Sequence, residues 1–207
     1  MDIICKKIQP SDTDLMDQIH RLRYQVYVHE RKFLSVQEYP DGKEKDVFDA
    51  ESIHFAAMNR LNEVIGTVRL IPSARTPTQI DLYNHKLQIN EMHTLFPYAE
   101  ISRFCISKDY LRRFVRMQTS LENYLNPITF AFYKAMWEEC EEAQIETVFA
   151  LMEDSLANLL ERSGLRPECV GKAVDLYGTV RPYKMVVREQ KKAILRYYRK
   201  RENYSLV

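Results

Sequence analysis

The run "EISRFCIS", Glu100 to Ser107, sets a carboxylate, a hydroxyl and a guanidinium within four residues of an otherwise strand-like stretch. A carboxylate so placed is suited to proton transfer, and arginines are suited to holding anions or keeping acids ionised. Strict alternation would turn Glu100, Ser102, Phe104 and Ile106 to one face and Ile101, Arg103, Cys105 and Ser107 to the other. Both faces then carry polar groups, which cost several kcal/mol unless they find partners or a water-filled cleft. Partners of the right type are Arg23 on the first predicted helix, Asp46 and Asp49 in "DVFD", and Arg69 in "GTVRL". With Glu100 and Arg103 they make a balanced set of acids and arginines. The set either closes ion pairs between loop and sheet or builds a reaction site. Cys105 reads as a small buried side chain rather than a nucleophile, and His54 and His85 lack ligand partners at metal spacing, so no metal site is expected.

The elements that must position these groups follow from periodicity. A short strand, "DIICKKI", precedes a helix that Ser11 and Asp14 open as a capping box, with Leu15, Ile19, Leu22 and Val26 along one stripe and Arg23 and Tyr27 beside it. The charged segment "QEYPDGKEKDVFDAES" reads as a loop. Strands "SIHFAAMN" and "VIGTVRLI", separated by "RLNE", form a predicted hairpin. A variable stretch with Pro72, Pro77, His85 and His93 leads to "YAEISRFCIS". A helix from about Pro127 to Ala143, strand "ETVFAL", helix "EDSLANLLERSG", strand "PYKMVVR" and a basic final helix complete the chain. The order β-α-β-β-β-α-β-α-β predicts an α/β (α+β) domain over 1–207, one mixed sheet with helices packed on it.

Composition narrows the partners. In 207 residues, 45% hydrophobic and 29% charged, thirty Lys and Arg against twenty-nine Asp and Glu leave a formal charge of +1, which gives no global field for nucleic acid. The N-terminus "MDIICKKIQP" lacks the apolar stretch of a signal peptide, "ITFAFYKAMW" is too short to span a bilayer, and a cytoplasmic location is expected. Four scattered cysteines read as reduced thiols.

In order and spacing, "RYQVY" with Phe33, "KDVFDAESIHF", "GTVRL" and "EISRF" resemble the autoinducer synthases that make acyl-homoserine lactones. They resemble more closely the related long-chain N-acyl amino acid synthases and exosortase-associated acyltransferases, to whose later pattern "SGLRPECVGKAVDLYGTVRPYKM" is also similar. The resemblance implies a GNAT-like N-acyltransferase fold in which a splayed central pair of strands admits an acyl thioester. It implies catalytic roles for Glu100, Ser102 and Arg103, and substrate-binding roles for Arg23, Tyr27, Asp46, Asp49 and Arg69, with Phe33 beside them; Phe104 is a further substrate-binding candidate as an apolar residue that could line the acyl chain's tunnel. Glu100 would deprotonate the attacking amine, and backbone N–H groups of a bulged strand would hold the oxyanion. Phe33 stands where the lactone synthases usually have Trp, so an amino-acid acceptor is expected ahead of S-adenosylmethionine, the lactone synthase being the alternative. A non-catalytic module that binds an acylated carrier or a lipid is a third reading.

Coenzyme A users of this superfamily usually have a Gly-rich turn after the central strand. The corresponding "SKDYLRRFVRMQTSLENYLNP" contains no Gly. The expected donor is therefore the acyl-phosphopantetheine of acyl carrier protein, with no tightly bound cofactor. Arg112, Arg113 and Arg116, with Lys191, Lys192, Arg196, Arg199, Lys200 and Arg201, offer that acidic partner a basic face. The last helix also mixes Tyr with cations, as interfacial helices do, but shows no clear apolar face, so membrane association is not the expected reading.

Overall fold

A computed structural model describes residues 3–9, 11–89, 96–110, 112, 127–176 and 178–204. Strands β1 (Ile4–Ile8), β2 (Ile53–Met58), β3 (Val64–Pro72) and β4 (Tyr98–Ile106) pair antiparallel in sequence order. β5 (Thr147–Met152) joins β4 in parallel. β8 (Thr179–Val186) lies antiparallel on β5 and carries the short strands β6 (Glu168–Cys169) and β7 (Val174–Asp175). The expected hairpin forms because Asn59 Oδ1 accepts the N–H groups of Leu61 and Glu63, closing the turn between β2 and β3.

Helices cover both faces. α3 (Pro127–Glu142), α4 (Asp154–Arg162) and α5 (Val187–Tyr204) bury Phe130, Phe132, Met136, Trp137, Leu160 and Ile194 against Val68, Leu70, Ile101 and Val148. α1 (Thr13–Tyr24) places Ile19 against Ala56 and Met58 on the opposite face, and α2 (Gln79–Leu87) places Ile80 and Leu87 beside Tyr98 and Phe149. No described helix is long and apolar enough to cross a membrane.

Three local expectations are corrected. Ser11 and Asp14 form no capping box: the N-cap is Asp12, whose carboxylate instead accepts the Gln9 N–H at 3.2 Å. The stretch after Pro77 contains α2, opened by a capping box in which Thr78 and Asp81 exchange hydrogen bonds and closed by Gln88 in the left-handed region at φ 56°. The pattern Thr-x-x-Asp was the overlooked signal. The first helix also runs into a π-helical turn, Gln25–Glu30, where the Arg31 N–H reaches back five residues to the Val26 carbonyl. Such turns recur at functional sites, and this one carries Tyr27.

β4 and β5 pair only from Tyr98–Thr147 to Ile101–Ala150. Beyond that point β4 continues to Ile106 against β3 while β5 continues to Met152 against β8. The central strands thus part in mid-sheet, as the sequence resemblance implied.

Candidate active site

The register between β3 and β4 slips where the strands part: Thr67 faces Cys105, whereas Arg69, two residues on, faces Ser102, three residues back. The extra residue is a β-bulge, and Arg103 inside it has φ 51°, a left-handed conformation that a non-glycine residue adopts only when surroundings hold it. The bulge overturns strict alternation. Arg103 turns to the loop between α1 and β2, joining Ser102, whereas Phe104 turns to α3 and meets Phe132 and Tyr133 at centroid distances of 5.9 and 6.5 Å.

What holds Arg103 is a network of carboxylates from that loop. Glu44 accepts from Arg23 Nε with one oxygen and from Arg103 Nε at 3.1 Å with the other. Asp46 is bidentate to Arg69, at 2.5 and 3.0 Å, and also takes Arg103 Nη2 at 2.9 Å. Asp49 accepts from Arg23 at 2.7 and 3.2 Å and from Arg69 at 2.7 Å. Arg69 Nε completes the set by donating to Ser102 Oγ at 3.0 Å. Arg23, Glu44 and Arg69 are buried to 1% exposure or less and Arg103, Asp46 and Asp49 are partly buried, so three arginines and three acids neutralise one another largely away from water. The sequence reading missed Glu44, which stood as one more charge in "DGKEKD".

The network fixes the ionisation of its members. Burial would raise the Asp49 carboxyl, but the Arg23 charge and hydrogen bonds hold it far below the usual carboxylate range. Asp46 is held down likewise by Arg69 and Arg103 against its own burial. His20 and His54 flank Asp49 at 3.8 Å, and burial pushes both imidazoles down, toward the neutral form. His54 Nε2 donates to the Asp49 carbonyl oxygen at 3.0 Å.

Tyr27 ties this network to the bulge. Its hydroxyl donates to the Phe104 carbonyl at 3.0 Å, and its ring lies under the Arg103 guanidinium at 5.8 Å and stacks with Phe33 at 6.5 Å.

Glu100 lies one pleat from Ser102, but its carboxylate does not join the arginine network. It points to the start of α2, where Oε2 accepts the Ile80 N–H at 2.8 Å. At 1% exposure its desolvation outweighs that hydrogen bond and the charges of Arg69 and Arg103, and its pKa is pushed up to about 7. A carboxylate poised there takes and gives protons near neutral pH. Cys105 is buried, its thiol pushed up to about 12 by desolvation, which removes the thiolate a nucleophile needs.

The proposed docking patch is described only at Arg112, an exposed side chain 3.4 Å from Asp109; Arg113 and Arg116 lie outside the described residues. On α5, Lys191 pairs with Glu141 of α3 at 2.7 Å. Among the described residues, no group of three or more His, Cys, Asp or Glu is placed to hold a metal ion.

A family model described as an acetyltransferase (GNAT) domain matches residues 22–120, the span from Arg23 through the bulged strand. An isovaleryl-homoserine lactone synthase of Bradyrhizobium diazoefficiens is 25% identical over 140 residues, 68% of this chain and 58% of that relative's length. The match and the mixed sheet with its parted strands give the chain a GNAT-like fold. Among solved structures the fold is similar to that of BjaI, a CoA-dependent acyl-homoserine lactone synthase with SAM and isopentyl-CoA, at TM-score 0.67 and 20% identity, covering 91% of this chain and 85% of that one. It is also similar to FeeM, an N-acyl amino acid synthase from uncultured soil microbes, at TM-score 0.59 and 13% identity, covering 93% and 94%.

Proposed function

We propose that this protein is an N-acyltransferase that moves an acyl group from a phosphopantetheine thioester to the amine of S-adenosylmethionine and releases an acyl-homoserine lactone. The observation that carries the reading is the neutralised arginine–carboxylate network locked onto the β4 bulge, next to a buried Glu100 with a pKa of about 7. Sequence likeness to a homoserine lactone synthase over 68% of the chain turns the acceptor toward S-adenosylmethionine and away from the free amino acid expected first.

In this reading Glu100 takes a proton from the acceptor's ammonium, directly or through one water. The freed amine attacks the thioester carbon. Backbone N–H groups of β4 beyond Ile101, where its pairing with β5 ends, stabilise the oxyanion, and the thiolate departs with the second amine proton. The substrate carboxylate then displaces methylthioadenosine from its own γ-carbon and closes the lactone. Asp46 and Asp49, partly exposed and held ionised and in place by Arg23, Arg69 and Arg103, are the acids of the network that the cationic acceptor would meet. Phe104, against Phe132 and Tyr133 on the other face, borders the path of the acyl chain.

A second reading keeps the chemistry and changes the acceptor to an amino acid. Phe33 favours it, as does the likeness to FeeM. The donor is carried by acyl carrier protein or by coenzyme A. Incubating purified protein with acyl-carrier and acyl-CoA donors, S-adenosylmethionine and an amino-acid panel, with mass spectrometry of products, separates these. Methylthioadenosine formed in step with an acyl-lactone supports the first reading; an acyl-amino acid without methylthioadenosine supports the second. No turnover of any donor overturns both and leaves a binding module.

A further inference from the structure

Amide formation from an ammonium and a thioester releases two N–H protons. One leaves on the thiol. The other, on the reading above, passes to Glu100, which is 1% exposed and must shed it before the next turnover. The face of Glu100 toward Ile80 is where the structure offers it a way out.

Thr78 is fully buried at the N-cap of α2, two residues before Ile80, whose N–H holds the Glu100 carboxylate at 2.8 Å, and its side chain acts on that carboxylate. The same hydroxyl donates to Asp81 Oδ2 at 3.0 Å. The other Asp81 oxygen accepts from the Tyr98 hydroxyl, and the Thr78 N–H donates to Oδ2 at 2.6 Å, so the carboxylate is fixed in orientation. Asp81 is half-buried and forms part of the wall of an open pocket with Ser73, Arg75, Thr76, Pro77 and Tyr98. A hydroxyl that can accept from one carboxylic acid while donating to a second carboxylate, itself at the edge of water, has the connectivity of a relay. The other charged groups acting on Glu100 are Arg69 from β3 and Arg103 from the bulge, neither of which can accept a proton.

We propose that Thr78 and Asp81 form the proton exit of the site, carrying the proton from Glu100 to the open pocket beside α2. Protonated Glu100 donates to Thr78 Oγ1, the Thr78 hydroxyl proton moves to Asp81 Oδ2, and Asp81 releases it to water. Glu100 is left as carboxylate, Thr78 as hydroxyl, and one proton has reached solvent. Tyr98 positions Asp81. The inference rests on Glu100 acting as base.

Capping α2 is the structural role of the same pair, and the test must move something capping does not. Thr78→Val, Asp81→Asn, Thr78→Ser and Glu100→Gln should be compared by rapid-quench first turnover and by steady-state kcat, with thermal melts confirming that each is folded. The relay predicts that Thr78→Val and Asp81→Asn keep first-turnover rates within about twofold of wild type while kcat falls about tenfold, and that Thr78→Ser restores kcat. Unchanged kcat in both, or equal falls in first turnover and kcat, overturns the relay while a slow Glu100→Gln first turnover leaves the base in place. A Glu100→Gln protein as fast as wild type removes the base, and the relay with it.

Discussion

Glu100→Gln should lower activity and raise stability, and only above the pH at which the wild-type carboxyl ionises. The folded protein raises Glu100 from its ordinary 4.5 to about 7, with burial as the leading cause. Between those values the unfolded chain has lost the proton and the folded one has kept it, so wild-type stability falls as pH rises. A gap of about 2.5 pKa units at 1.36 kcal/mol per unit corresponds to about 3 kcal/mol, fully expressed above pH 7 and absent below about pH 4.5. Most of it, about 2–3 kcal/mol, lies between pH 5 and pH 8. Gln retains an acceptor for the Ile80 N–H but cannot ionise. The lowered carboxyls Asp46 and Asp49 and the lowered imidazoles His20 and His54 work in the other direction, losing stability as pH falls. Both proteins share those groups, so subtracting one from the other removes them. Urea unfolding of both at pH 5 and pH 8 should show the Gln variant gaining about 2–3 kcal/mol on wild type between the two pH values. A gain below about 1 kcal/mol, or one of opposite sign, would refute the desolvated carboxyl and the pKa on which its role as base depends.

Glu44→Gln leaves Arg23 and Arg103 each with one carboxylate fewer in a buried network, and should cost about 3–5 kcal/mol in urea unfolding; a loss under 1 kcal/mol would mean that the bulge holds without it. Cys105→Ala should keep acyl transfer within about threefold of wild type, because a thiol at about 12 is not the nucleophile; a fall of a hundredfold or more in product formation would reinstate a covalent route.

Much of the frame was legible in the chain. The 3.6-residue stripe through Leu15 and Ile19, the turn-separated runs of β2 and β3, and the apolar helix after Pro127 each follow from local periodicity, which needs no distant partner. The residue types of the network were legible too, since an acid, a hydroxyl and an Arg in one strand demand partners, and few acids and arginines lay in suitable contexts.

The faces and pairings were not. Period-two alternation sends Arg103 away from Ser102, and nothing in the letter Arg marks a left-handed φ; the bulge exists because Glu44 and Asp46, 59 and 57 residues earlier, grip the guanidinium once the sheet has formed. Glu44 itself looked like solvated charge in a turn-rich loop until the fold brought Arg23 and Arg103 to its two oxygens. Glu100, grouped by sequence with the arginines, is desolvated at the start of a helix hidden in a Pro-bounded stretch. Local pattern therefore determined the elements and supplied the chemical groups. Tertiary structure alone decided which charges neutralise one another and which carboxylate is left near pH 7, because both depend on distance and on exclusion of water between residues far apart in the chain.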